Sequence, residues 1–345
     1  MTMNLEQLVR PNIWKLAPYS SARDEYSGKE AHVFLDANEN PYGVPYNRYP
    51  DPLQRELKKQ ISKVKGIPED MIFLGNGSDE AIDLPYRVFC EPGSDNVVAI
   101  EPTYGMYKVC ADINNVEYRP VLLDEQFDFK ADDLLKACDS HTKLIWLCSP
   151  NNPTGNSLNR EEIIKVIESF EGIVIVDEAY NDFAQQKTLR AELAKYPNLI
   201  ILNTMSKAWA LAGIRLGMAF ASKEIVYIYN KVKYPYNIDE AAMQLAIERL
   251  AHPVEHRVAE IKAQRRVVAD ALARLPMVQR VYPSEANFLL VRFDDPEAVY
   301  ARLIREGIIV RNRSGVRGCE GCLRITIGRE EENRKLLESL NRYEK

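Results

Sequence analysis

Lys207 lies in the segment Ser206-Lys207-Ala208-Trp209-Ala210-Leu211-Ala212-Gly213-Ile214-Arg215, just beyond the apolar run Leu199-Ile200-Ile201-Leu202. A solvated face rarely gives a lysine such small, apolar company. A second apolar run, Ile173-Val174-Ile175-Val176, ends in Asp177-Glu178-Ala179-Tyr180. An amine must lose its proton before it attacks a carbonyl, and burial near another cation lowers a lysine pKa in that direction. Arg215, close downstream, supplies such a cation. A buried amine, a carboxylate at a strand end and a neighbouring phenol together suit an enzyme that holds an aldehyde cofactor as a Schiff base.

The elements that must position these groups are short apolar runs, bounded by turn residues and alternating with amphipathic stretches of helical length. Met71-Ile72-Phe73-Leu74 leads into Gly75-Asn76-Gly77-Ser78-Asp79-Glu80, and Val97-Val98-Ala99-Ile100 into Pro102-Thr103-Tyr104-Gly105-Met106-Tyr107. Leu144-Ile145-Trp146-Leu147 leads into Ser149-Pro150-Asn151-Asn152-Pro153-Thr154-Gly155. The runs ending at Asp177 and Asn203 complete the set. Unbroken apolar runs predict strands covered on both faces, hence a mostly parallel sheet between helices. Such sheets bind ligands beyond the carboxyl ends of their strands, where these five polar turns would gather.

The pattern changes after Tyr234-Pro235-Tyr236-Asn237. A helical stretch over about 240–275, interrupted near Pro253, precedes strand candidates at 288–293, 308–311 and 323–327. Helices are expected around 296–306 and 330–343. The reading is an α/β protein with a large domain over 34–245 and a smaller α+β domain formed by 1–33 and 246–345.

Pyridoxal phosphate makes four demands, and the turns offer a residue for each. Lys207 supplies the amine. Asp177 supplies the anion that keeps a pyridine nitrogen protonated, so that the ring accepts electrons from a breaking Cα–H bond. Tyr180 and Asn152 can reach the ring oxygen, and Tyr104 can stack on the ring. Gly77-Ser78-Asp79 opens a helix, where free amides and the positive helix end favour an anion. The dipole contributes about 0.3–1 kcal/mol against roughly 1.5–3 for each charge-assisted hydrogen bond. Arg215, Ser206 and the amides should therefore dominate phosphate binding. Each piece also has an ordinary structural use: Gly77-Ser78 as a helix cap, Asn152-Pro153-Thr154-Gly155 as a plain turn. Their joint occurrence at successive strand ends is what argues for the site.

Composition narrows the remaining classes. A chain of 345 residues, 46% hydrophobic and 28% charged, suits a soluble enzyme of two unequal domains. Its net charge of −5 argues against a nucleic-acid partner, which would favour a basic stripe. No apolar stretch approaches the length of a membrane span. The start, Met1-Thr2-Met3-Asn4-Leu5-Glu6, lacks the features of a secretion signal, and a cytoplasmic protein is expected. Six dispersed cysteines then read as free thiols. Cys319-Glu320-Gly321-Cys322 resembles half a zinc site, but a structural zinc needs four ligands and no second pair exists, so no metal is expected.

Asn152-Pro153-Thr154-Gly155, Asp177-x-x-Tyr180 and Ser206-Lys207 with Arg215 resemble the fold-type I, pyridoxal-phosphate-dependent aminotransferases of the aspartate aminotransferase superfamily. Four further segments make the resemblance closest to the histidinol-phosphate aminotransferase family. They are Leu35-Asp36-Ala37-Asn38-Glu39-Asn40-Pro41-Tyr42-Gly43, Arg48-Tyr49-Pro50-Asp51-Pro52, Pro102 to Tyr107, and Gly321-Cys322-Leu323-Arg324-Ile325-Thr326-Ile327-Gly328. The likeness covers nearly the whole chain.

The resemblance implies Lys207 as Schiff-base lysine and proton shuttle, Asp177 at the pyridine nitrogen, and Asn152 and Tyr180 at the ring hydroxyl. It implies Tyr104 against the ring and Gly77, Ser78, Asp79, Ser206 and Arg215 around the phosphate. Tyr49 corresponds to a tyrosine that reaches the cofactor phosphate of the partner subunit, which implies a homodimer with shared sites. Tyr19, Asn152, Arg311 and Arg324 correspond to substrate-binding residues, and the guanidinium fork suits a carboxylate or phosphate. The implied reaction is ping-pong transamination between histidinol phosphate and 2-oxoglutarate. Alternatives are an aromatic amino acid aminotransferase, a pyridoxal-phosphate lyase such as threonine-phosphate decarboxylase, or a non-catalytic binding protein. The loop holding Arg313 and Arg317 is not assigned a role.

Overall fold

A computed structural model describes residues 4–20, 22–26 and 32–342. Its large sheet is built from β1 (Ile72–Asn76), β2 (Asn96–Glu101), β3 (Glu117–Leu122), β4 (Thr142–Cys148), β5 (Ile173–Asp177), β6 (Leu199–Thr204) and β7 (Leu216–Phe220). The strand order is β1-β7-β6-β5-β4-β2-β3. Only β7 runs against its neighbours; the other contacts, β2 to β3 and β2 through β4 and β5 to β6, are parallel.

The unbroken apolar runs have the expected cause. Ile145, Leu147, Val174, Val176 and Ile201 enter a core on one face of the sheet. Their neighbours Leu144, Trp146, Ile173, Ile175 and Ile200 enter a second core on the other. Both faces are thus covered, so alternation has no polar side to display. The reversal of β7 has a positional consequence. Gly217 pairs with Thr204 of β6 and with Gly75 of β1, which brings the start of β7 to the edge where β1 and β6 end. Arg215 arrives there from the opposite chain direction.

Two strands of the large sheet escape the apolar-run criterion. β3 is an edge strand of partly exposed residues, and an edge tolerates Pro120, which lacks an N–H to donate. β7 is fully buried, but its Leu-Gly-Met-Ala-Phe sequence is short and interrupted by glycine. The second sheet, antiparallel throughout, has the order β10-β11-β9-β8. Its members are β8 (Val278–Val281), β9 (Phe288–Phe293), β10 (Arg311–Asn312) and β11 (Cys322–Thr326). Of the strand expected at 308–311 only its last residue is paired, because Arg311–Asn312 alone meets β11.

The expected domain limits shift in two places. All buried residues of the helix Glu240–Leu250 pack into a large-domain core, so the limit at 245/246 falls inside that element. The helix Glu255–Leu272 is the actual bridge: Val258 belongs to the large-domain core, Val268 and Leu272 to the small one. Near the N-terminus, Leu5 and Val9 join a large-domain core and the Arg10 N–H donates to the Val88 carbonyl at 2.9 Å. That part of 1–33 therefore packs on the large domain instead of completing the small one. Residues 1–3, 21 and 27–31 of that range, and 343 of the last expected helix, lie outside the described residues. Among the described residues no helix is long and apolar enough to cross a membrane.

Candidate active site

A cavity of about 380 Å³ lies between the strand ends of the large sheet and the β10–β11 hairpin. A larger groove of about 850 Å³ runs past Leu5, Trp14 and Tyr227. The chemistry converges in the smaller one. Ser78, Asp79, Tyr104, Asn152, Asp177 and Tyr180 line it together with Ser206, Lys207, Arg215, Arg311 and Arg324.

Asp177 closes β5 and is buried. The Tyr107 hydroxyl donates to its Oδ2 at 2.7 Å and the Ala179 N–H to its Oδ1 at 3.0 Å. Burial raises the Asp177 pKa, while those two donors and the charge of Lys207 pull it down. A buried carboxylate of this kind is stabilised by a cation, which a protonated pyridine nitrogen provides. Lys207 is half-buried with its Nζ 5.5 Å from the Tyr180 ring centroid. Burial first, then Arg324, and then Arg215 push its pKa down, against the opposing pull of Asp177. This is the direction that makes an amine nucleophilic.

The turn expected to cradle a phosphate is tighter than its sequence implies. Gly77 has φ +75°, and a Cβ there would stand 2.5 Å from Arg215 Nη2. The Gly77 N–H is already donated to the Arg215 carbonyl at 2.6 Å, so Gly77 offers space and no free amide. The amides of Ser78 and Asp79 remain at the opening of the helix Gly77–Phe89, where no carbonyl four residues back can take them. The Asp79 side chain accepts from Arg215 Nη2 and from the Tyr104 hydroxyl, each at 3.2 Å. Its carboxylate orients these two residues, and only its amide is suited to an anion. The Ser206 N–H goes to Thr204 Oγ1 at 3.1 Å, which leaves its hydroxyl for a ligand.

On the other wall, Arg324 Nη1 donates to Asn152 Oδ1 at 2.5 Å. Its guanidinium carbon lies 5.3 Å from the Phe288 ring centroid, and Tyr180 meets the same ring edge-on at 5.2 Å. Arg311 is cross-strand partner to Arg324. The structure does not bring Tyr19 or Tyr49 into the cavity. Tyr19 is 65% exposed; Tyr49 stacks on Tyr236 at 4.5 Å and faces a separate hollow. Two residues with no role in the sequence reading enter the site. Tyr107 holds Asp177, and Arg313 joins the cavity wall. The polar turn after β2 marked Tyr107 only as one aromatic of a motif.

The residues present fit pyridoxal phosphate: a buried carboxylate with no ion-pair partner within salt-bridge distance among the described residues, a lysine of lowered pKa, a glycine at a turn beside Arg215, and a tyrosine beside the space between them. The sequence pattern of the family described as "Aminotransferase class I and II" matches residues 24–340. A histidinol-phosphate aminotransferase of Bacteroides fragilis is 59% identical over 342 residues, 99% of each chain. The chain belongs to the histidinol-phosphate aminotransferase family, within the class I and II aminotransferases. Such an enzyme of Bacteroides thetaiotaomicron is 57% identical over 342 residues, again 99% of each chain. The crystal structure of the family member from Clostridium acetobutylicum superposes with a TM-score of 0.79 at 28% identity, covering 88% of this chain and 96% of that one. As a class I and II aminotransferase the chain is a pyridoxal-phosphate-dependent transferase with the α/β fold-type I architecture.

Proposed function

We propose that this chain transfers an amino group between L-histidinol phosphate and 2-oxoglutarate, giving imidazole-acetol phosphate and L-glutamate, a step of histidine biosynthesis. The observation that carries the reading is the pairing of Arg311 with Arg324 across from Lys207 in one cavity. Histidinol phosphate presents a phosphate and no carboxylate, whereas glutamate presents carboxylates. One pocket of planar guanidiniums serves both anions.

Pyridoxal phosphate, when bound, supplies the electron sink for the Cα–H bond that breaks. Asp177 keeps a proton on the pyridine nitrogen, and Tyr107 keeps Asp177 in place. Lys207, its pKa lowered by burial and Arg324, would hold the cofactor through its amine and, once freed, would accept the proton from the substrate's Cα. Asn152 and Tyr180 would orient the ring through its hydroxyl, and Tyr104 would cover its face. Ser78, Ser206 and Arg215 would anchor the phosphate and so hold the ring in place when Lys207 is released. Arg324, restrained by Asn152 and Phe288, would set the substrate anion relative to Lys207, with Arg311 beside it.

The same reading makes the enzyme a cytoplasmic homodimer in which Tyr49 reaches the cofactor phosphate of the partner subunit's site. Its half-exposed ring on Tyr236, outside its own cavity, supports this. Two half-reactions sharing one site require ping-pong kinetics. Initial rates with glutamate varied at several imidazole-acetol phosphate concentrations should give parallel reciprocal lines. Intersecting lines would contradict the scheme.

A further inference from the structure

The β10–β11 hairpin carries a third arginine. Arg311 faces Arg324 across the hairpin, and the Arg313 N–H donates to the Cys322 carbonyl at 2.9 Å, which extends the ladder beyond Asn312. Side chains along a strand alternate between faces. Arg311, Arg313 and Arg324 therefore share one face, while Leu323 enters the small-domain core and Asn312 donates to Glu297. All three arginines line the cavity that holds Lys207. Arg313 is half-buried, and its Nε is shielded from solvent without a hydrogen-bond partner. Among the described residues no carboxylate pairs with it. Burial first, then Arg324 and Arg311, lower its pKa, so the cluster is unfavourable until an anion enters.

A carboxylate carries one charge and two oxygens, which two guanidiniums satisfy. A phosphate monoester carries close to two charges at neutral pH and three terminal oxygens, and its second pKa is about 6. We propose that Arg313 makes this pocket select a phosphate dianion over a carboxylate, by adding a third guanidinium to Arg311 and Arg324. The inference rests on histidinol phosphate being a substrate of this site.

The test uses the holoenzyme, its Arg313→Gln and Arg313→Lys variants, and separate half-reactions with histidinol phosphate and glutamate from pH 5 to 8. For Arg313→Gln, kcat/KM for histidinol phosphate should fall by about 10–100-fold, the value of one lost charge-assisted contact. The fall for glutamate should be no more than about threefold, since its anion keeps Arg311 and Arg324. The wild-type rise in histidinol phosphate reactivity as the phosphate loses its second proton should flatten in this variant. Arg313→Lys should recover part of the loss, because it restores charge but not the fork. Equal losses in both half-reactions, a larger loss with glutamate, or no loss would overturn the inference alone. A wild-type enzyme that reacts with glutamate but not with histidinol phosphate would overturn the proposed function and this inference with it.

Discussion

Asp177, proposed as the partner of the pyridine nitrogen, sets stability against that function. Burial raises its pKa in the folded chain. A group with a raised folded-state pKa contributes stability present below its unfolded value, near 3.9, and lost as pH rises through the folded value. The apoprotein at pH 8 therefore holds a carboxylate that an amide would better suit. Asp177→Asn should give an apoprotein melting temperature at pH 8 equal to or above wild type, with the difference narrowing toward acid pH. Turnover should fall by about 10²–10³-fold, as for loss of one preorganised electrostatic group. An apo variant that melts earlier at pH 8 would contradict this account. Lys207 gives the complementary prediction. Burial and then Arg324 lower its pKa, so Arg324→Gln should leave the amine protonated to higher pH. The midpoint of the pH profile for cofactor capture by apoprotein should move up; a midpoint that stays or falls would contradict the assignment. That Lys207 and Asp177 would meet in one cavity was legible because each follows an unbroken apolar run. Tyr107 was not, because its partner Asp177 lies 70 positions away and nothing local distinguishes it from a core aromatic.

Among the elements, the turn proposed to bind phosphate depends on a strand the apolar-run criterion missed. A Cβ at Gly217 of β7 would stand 2.2 Å from the Ser78 amide nitrogen and 2.3 Å from the Gly77 carbonyl carbon. Both are backbone atoms, so the helix opening must move to admit a side chain. Gly217→Ala should cost about 1–3 kcal/mol, as overpacking does. It should also weaken pyridoxal phosphate affinity in equilibrium titration. A variant with wild-type affinity would show that β7 does not set the cradle. The buried parallel strands were legible because both faces are apolar. β3, exposed at the edge, and β10, two residues long, carry too little burial to leave a pattern. The three-arginine face of the β10–β11 hairpin was hidden for the same reason, since the alternation that aligns Arg313 with Arg311 appears only once the ladder is known.

In the molecule as a whole, the mostly parallel sheet with cores on both faces and the smaller antiparallel sheet were readable from the change of pattern after residue 237, but the limits of the elements that join them were not. The bridge is the helix Glu255–Leu272, whose two ends serve different cores, and an amphipathic sequence does not say which core its apolar face meets. The proposed shared-site dimer predicts subunit complementation. A Lys207→Ala chain carries an intact Tyr49, and a Tyr49→Phe chain an intact Lys207. Mixed dimers should therefore contain one complete site and exceed the activity of either variant alone. Mixtures no more active than the mean of the two would show that Tyr49 serves its own chain.

Transamination of histidinol phosphate at Lys207 can be read from single-turnover absorbance of the purified holoenzyme. Histidinol phosphate alone and glutamate alone should each discharge the visible cofactor band completely. Arg324→Gln should slow both, and phenylalanine should react far more slowly than histidinol phosphate. A cofactor band that survives histidinol phosphate, or yields to phenylalanine much faster, would contradict the account.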